Sequence, residues 1–124
     1  MGIVFDTRED GFRTVVKDYQ EMALRFLWES GERGVSSREV WLHVNKEFGG
    51  SGSISRASLI NFLNAMVDEG VLGYTEITGK GGHRRIYSTK LNEAEFKKYV
   101  ATTVLKNLLR DFPSETKQVL SNFR

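Results

Sequence analysis

The residues Thr78-Gly79-Lys80-Gly81-Gly82-His83-Arg84-Arg85 form the stretch of this chain best equipped to meet a polyanion. Lys80, Arg84 and Arg85 are cationic, and no Asp or Glu stands between Thr78 and Lys90 to offset them. Such cations neutralise phosphates, each releasing condensed counterions and adding about 0.9 to the salt dependence of binding. Gly79, Gly81 and Gly82 let the backbone turn tightly and come close to a partner. The plain alternative is a solvated loop; cations at this density, with no acid beside them, favour binding. His83 is neutral or charged according to its surroundings and is assigned no role.

A second set of polar residues recurs at helical spacing upstream. Arg56, Ser58, Asn61 and Asn64 fall on one side of an apolar stripe, with Ala57 and Ala65 between them. Ser and Asn hydrogen-bond base edges, and a bidentate Asn matches adenine; Arg suits a guanine edge or a phosphate. The alanines would let a helix sit close to a groove floor. Solvated helix faces are usually rich in Glu and Lys, whereas this one, which ends at Asp68, is rich in Ser, Asn and Ala. Base reading is therefore expected of Arg56, Ser58, Asn61 and Asn64, and DNA-backbone contact of Ser55, Lys80, Arg84 and Arg85.

Other chemistries find little support. Without cysteine there is no disulfide framework, thiolate zinc site or cysteine nucleophile. His43 and His83 lie far apart with no metal-ligand spacing, so no metal and no cofactor is expected. No serine is tied to a histidine base and an acid, and Glu29, Glu32, Glu39 and Glu47 read as helix-surface charges, so no enzyme activity is expected. The glycine-rich stretch lacks the GxxxxGK[ST] spacing of a phosphate loop and opens no helix. Trp28 and Trp41 read as core by default.

These residues need elements to hold them. The 124 residues suffice for one compact domain, or for a small domain plus an appended helical segment, and an apolar content of 40% is ample for a core. The pI of about 9.0 leans basic, but the location of the charge matters more. No apolar run reaches membrane-spanning length and the N-terminus lacks a signal-peptide pattern, so a soluble cytoplasmic protein without membrane partners is expected. Residues 1–15 read as an N-terminal arm, part of which packs through Ile3, Val4, Phe5 and Phe12. Residues 16–90 read as a domain of three helices and a hairpin. Tyr19, Met22, Ala23, Phe26 and Leu27 mark a helix from about Val16 to Ser30, ended by Gly31 and Gly34. Ser36 and Glu39 form a capping box for a second helix, with Val40, Trp41, Val44 and Phe48 as its buried stripe. His43 on that helix is expected to face solvent. Gly49 to Ser53 supply a flexible connection.

A third helix capped by Ser55 buries Leu59, Phe62, Leu63, Met66 and Val67 and stops at Gly70. Two strand-like runs, VLGYTEI and RIYST, flank the basic tip, and a short strand near Val35 would add a third. Residues 91–124 read as a helical segment. Asn92 and Glu95 form another capping box, opening a helix to about Arg110 with Phe96, Val100, Val104 and Leu108 in line and Leu105 and Leu109 beside them. After Pro113, Ser114 is placed to cap a short helix bearing Val119, Leu120 and Phe123. The expected fold class is α+β, mainly α: a winged helix-turn-helix with C-terminal dimerisation helices. Its reading helix enters the major groove while the hairpin lies along the backbone or in a neighbouring minor groove. The apolar stripe of the last segment must be buried somewhere. Folding back on its own domain is one solution; pairing with a second copy through Phe96, Val100, Val104, Leu108, Phe112, Leu120 and Phe123 is the preferred one, giving a homodimer on double-stranded DNA.

The phrases YQEMALRFLWES, SSREVWLHVN, SRASLINFLNAMVDEGVLGY and RRIYSTKLNEAEF, in this order, resemble the penicillinase-repressor family of winged-helix transcriptional regulators. Ala23 to Glu29 match that family's first-helix phrase; Ser37, Glu39 and Val40 match its second; Leu63, Gly70 and Leu72 close the third; Tyr87-Ser88 end the wing. The tail VLKNLLRDFPSETKQVLSNF is similar to the family's dimerisation region, including an Asn122-Phe123 pair. The likeness spans roughly residues 17–124 and lies in order and spacing. It implies a dimeric repressor at a palindromic operator. Founding members are relieved by proteolysis near such an Asn-Phe step, and copper-responsive relatives use C-terminal cysteines, which this chain lacks. The Gly49–Ser53 loop and the N-terminal lead-in depart from the family pattern. The alternative is a winged-helix module that binds protein and not DNA. A ligand-responsive variant, with Trp28, Trp41 or Phe112 lining a pocket, leaves the effector open.

Overall fold

The computed structural model describes residues 3–50, 52–79 and 82–123, which form two compact units, Met1–Asn92 and Glu93–Arg124. The protein is α+β and mainly helical, with five α-helices and one three-stranded antiparallel sheet among the described residues.

In the first unit, α1 (Asp18–Ser30) buries Tyr19, Gln20, Ala23, Leu24 and Leu27 at three- and four-residue spacing. It starts two residues later than the apolar period suggests. Val15 and Val16 are buried ahead of the helix, their N–H groups both donating to the Phe12 carbonyl. The Gln20 side chain accepts the Lys17 N–H at 2.8 Å, supplying the cap that Lys17 cannot. Residues 3–15 belong to this unit. The Val4 N–H donates to Val15 O at 3.2 Å and Asp6 N–H to Thr14 O at 2.6 Å, while the Phe12 ring lies 5.6 Å from that of Trp28.

β1 (Val35–Ser36) leads directly into α2 (Ser37–Phe48). Ser36 ends the strand and caps the helix: its Oγ accepts the Glu39 N–H at 3.2 Å, and Glu39 Oε1 accepts the Ser36 N–H at 3.4 Å. The preceding Gly34 has φ +72°, and a Cβ there would sit 2.8 Å from Ile86 Cγ2, so close chain approach excludes a side chain at this point. In the helix Val40 and Val44 are fully buried, whereas Trp41 and Phe48 are half-buried.

α3 (Arg56–Asp68) buries Leu59, Phe62, Leu63 and Met66. It stops because Gly70 adopts φ +80°, letting the Val71 N–H reach Met66 O and the Gly70 N–H reach Val67 O, the paired bonds of a Schellman motif. The chain then enters β2 (Leu72–Gly79) and returns as β3 (Gly82–Thr89), paired in register from Leu72↔Thr89 to Gly79↔Gly82. β3 lies centrally, with β1 on its other side through Val35↔Tyr87 and Ser36↔Ile86. The strands run further than the apolar runs suggest. Backbone pairing needs no apolar side chain, so Thr78, His83, Arg84 and Arg85 are strand residues and not loop. The core joins Leu24, Leu27, Val35, Val40, Val44, Leu59, Leu63, Met66, Val71 and Leu72, each no more than 1% exposed. Burying one such side chain contributes about 1.5–3 kcal/mol.

The second unit holds α4 (Glu93–Asp111) and α5 (Pro113–Leu120). Phe112, not Ser114, occupies the N-cap position, and Pro113 takes the first helical position, where a missing N–H costs nothing. Thr116 fastens the corner: its N–H donates to Phe112 O at 2.9 Å and its hydroxyl to Leu108 O at 3.1 Å. Phe96 is fully buried in the single chain and stacks on Tyr99, so it is not available to a second copy as its place in the stripe suggests. Val100, Val104, Leu105 and Leu109 are half-buried, while Leu108, Phe112, Val119, Leu120 and Phe123 stay exposed. Among the described residues no helix is long and apolar enough to cross a membrane.

Candidate nucleic-acid interface

The start of α3 is placed by side chains of α2. Trp41 Nε1 donates to Ile54 O at 2.8 Å, and the Ile54 N–H donates to Asn45 Oδ1 at 2.9 Å. Asn45 Nδ2 in turn donates to Trp41 O at 2.9 Å, so both backbone groups of Ile54 are gripped by one stiff pair. One residue later Ser55 caps α3, its Oγ accepting the Ser58 N–H at 3.1 Å and donating to Ser58 Oγ at 2.9 Å. The Arg56 guanidinium lies 5.9 Å from the Trp41 ring centroid, within cation–π reach, and stays exposed. Trp41 is thus part of the helix-positioning apparatus, a role hidden by reading it as core. Its spacing of four from Asn45 was the available signal.

On the outward face of α3, Arg56, Ala57 and Asn61 are exposed, while Ser58, Asn64 and Ala65 are half-buried. Asn64 is spent differently from the expectation. Its Oδ1 accepts from Arg85 Nη1 at 3.0 Å and from the Tyr87 hydroxyl at 2.6 Å, tying α3 to β3. Both lone pairs of that oxygen are used, so it has none left for a base. Asn61 carries the outward amide of this face.

Strand alternation divides the basic residues that stand together in sequence. Tyr87 is buried at 2% exposure, and Arg85, two residues away, shares its face and reaches α3. Arg84 points to the opposite face, beside its cross-strand partner Ile77. Arg84 and Arg85 therefore do not form one cationic patch. Arg85 is half-buried, its guanidinium 3.9 Å from the Tyr74 ring centroid, and Glu76 stands directly across the ladder from it. The acid-free run from Thr78 to Lys90 thus gains an acidic neighbour once the strands pair. Burial raises the Tyr87 hydroxyl above its ordinary pKa, an effect partly offset by the positive charge of Arg85. Arg84 and His83 are exposed near the tip, and Lys80 lies outside the described residues.

His43 is half-buried instead of facing solvent: it stacks on Phe26 with ring centroids 4.2 Å apart, and its Nε2 lies 3.9 Å from Glu47. Among the described residues no three His, Asp or Glu side chains gather as a metal would require. A partly open cavity of ≈ 400 Å³ lies between the N-terminal segment and the start of α1, lined by Val4, Val15 and Val16 with Asp6, Arg13 and Lys17. Its charges are mixed and it contains none of the α3 or hairpin residues. No family model matches this chain, and no curated protein matches it significantly.

Proposed function

We propose that this protein is a winged-helix regulator that binds double-stranded DNA in a sequence-specific manner, acting as a dimeric repressor. The observation that carries this reading is the direct tie between α3 and the hairpin, through Asn64, Arg85 and Tyr87. Through it the helix that carries Arg56, Ala57, Ser58 and Asn61 and the strand that carries exposed His83 and Arg84 are fastened to each other. Support also comes from the order α1-β1-α2-α3-β2-β3 and the central position of β3, the arrangement a winged helix requires. The resemblance to the penicillinase repressors points the same way. α3 enters the major groove N-terminus first, Arg56 and Asn61 read base edges, and Arg84 contacts phosphate. In the dimer two α3 helices address half-sites one DNA turn, ~34 Å, apart.

Selection of bound duplexes from random sequence tests this directly. Recovery of a palindrome with half-sites one turn apart is expected; recovery of no duplex at physiological salt would favour the protein-binding alternative. On the selected site, Asn61→Ala should cost about 1–3 kcal/mol and relax choice at one base pair. Arg84→Gln should weaken all sequences alike and lower the salt slope by about 0.9.

A further inference from the structure

We propose that Arg85 is a positioning residue: held on the Asn64 amide oxygen and stacked on Tyr74, it sets the hairpin against α3 and does not itself grip DNA. The groups involved come from three elements. Asn64 belongs to α3, Tyr74 to β2, and Arg85 and Tyr87 to β3. Arginine has no acceptor atom, so the Asn64 atom facing it must be the oxygen, and chemistry fixes the amide's orientation. The Tyr87 hydroxyl fills the second lone pair at 2.6 Å, from a ring that is buried and cannot swing away. The guanidinium then lies 3.9 Å from the Tyr74 centroid, so its plane is held as well as its tip. Lysine would keep the charge but lose both the fork and the stack.

The division of labour follows. Arg85 commits its Nη1 to Asn64 and its π-face to Tyr74, on the side of the hairpin that carries buried Tyr87. Arg84 faces the opposite side and is exposed, so phosphate contact falls to it. Asn64 anchors the hairpin, which confines base reading to Arg56, Ser58 and Asn61 in the first two turns of α3. The DNA consequence rests on the proposed function; the latch itself does not.

The test therefore has two independent arms. In the protein alone, amide exchange across Tyr74–Tyr87 is measured for Asn64→Ala, Asn64→Asp, Arg85→Lys and Arg85→Gln. Asn64→Ala, Arg85→Lys and Arg85→Gln should each accelerate exchange about tenfold. The Asn64→Ala/Arg85→Gln double variant should be no faster than either single one, and Asn64→Asp, which keeps the acceptor, should stay slow. Unchanged exchange in Asn64→Ala, or additive effects in the double variant, would overturn the latch even if no duplex bound. On the selected duplex, Arg85→Gln and Asn64→Ala should weaken every sequence by the same factor with an unaltered salt slope. A slope reduced by about 0.9 in Arg85→Gln would make Arg85 a phosphate ligand, and loss of choice at one base pair in Asn64→Ala would make Asn64 a reader; either result refutes the proposal.

Discussion

Tyr87 joins the core, the sheet and α3 through one side chain. It is buried, it faces Val35 across the sheet, and it donates to Asn64. Burial is the largest influence on its hydroxyl and raises its pKa above the ordinary 10.0; Arg85 opposes that shift. The sign of the pH effect follows. Between the unfolded and the higher folded value, the unfolded chain has released this proton and the folded chain has not, so rising pH favours unfolding. The contribution is complete below about pH 10 and is lost as pH climbs through the folded pKa. Urea midpoints of the wild type should therefore fall more steeply above pH 10 than those of Tyr87→Phe. Parallel curves would show that the phenol has no such linkage.

At the scale of elements, the connection between α2 and α3 separates two kinds of information. Gly49 to Ser53 gave a correct reading of where α2 ends, because glycine runs disfavour both helix and strand. They gave no hint that the next residue is fixed. Ile54 is gripped by Trp41 and Asn45, whose contacts depend on helix geometry that composition does not encode. Lengthening the glycine-serine stretch by five residues should therefore cost only about 0.6 kcal/mol in loop-closure entropy and leave duplex affinity intact. Asn45→Ala, by contrast, should lower affinity without touching a DNA-facing residue. Both are read by thermal melting and titration of the selected duplex. Periodicity made all five α-helices legible, and the caps at Ser36 and Ser55 marked where α2 and α3 begin, because apolar spacing and caps act locally. The short strand at Val35 was legible too. The length of β2 and β3 and the splitting of Arg84 from Arg85 were not. Strand register is a non-local property, and an alternation of two sends adjacent cations to opposite faces. Asn64 misled for a related reason: an exposed-looking amide on a helical wheel carries no mark of the strand that will dock on it.

For the whole molecule, the second unit carries apolar side chains that its own helices leave uncovered. Phe112, Val119, Leu120 and Phe123 are exposed, with Phe123 at 73%. Exposed aromatic and aliphatic groups on one short segment favour burial against a partner. A second copy is the occupant that the proposed dimeric repressor requires. Sedimentation at micromolar concentration should give a dimer, and Leu120→Asp combined with Phe123→Asp should give a folded monomer with weakened operator binding. A monomeric wild type would leave two half-sites without a shared scaffold and remove palindromic binding from the proposed function.

The sheet's central strand also bears on how this protein is made. β3 is the last strand to leave the ribosome, yet it holds β1 on one side and β2 on the other. Until Ile86 and Tyr87 emerge, Val35 and Ser36 have no ladder to join, and the cap that starts α2 must stand on local bonds alone. A nascent chain stalled short of that point would leave Val35, fully buried in the finished fold, without its ladder partner Tyr87. Completion of a single strand gives both of the others their partner at once.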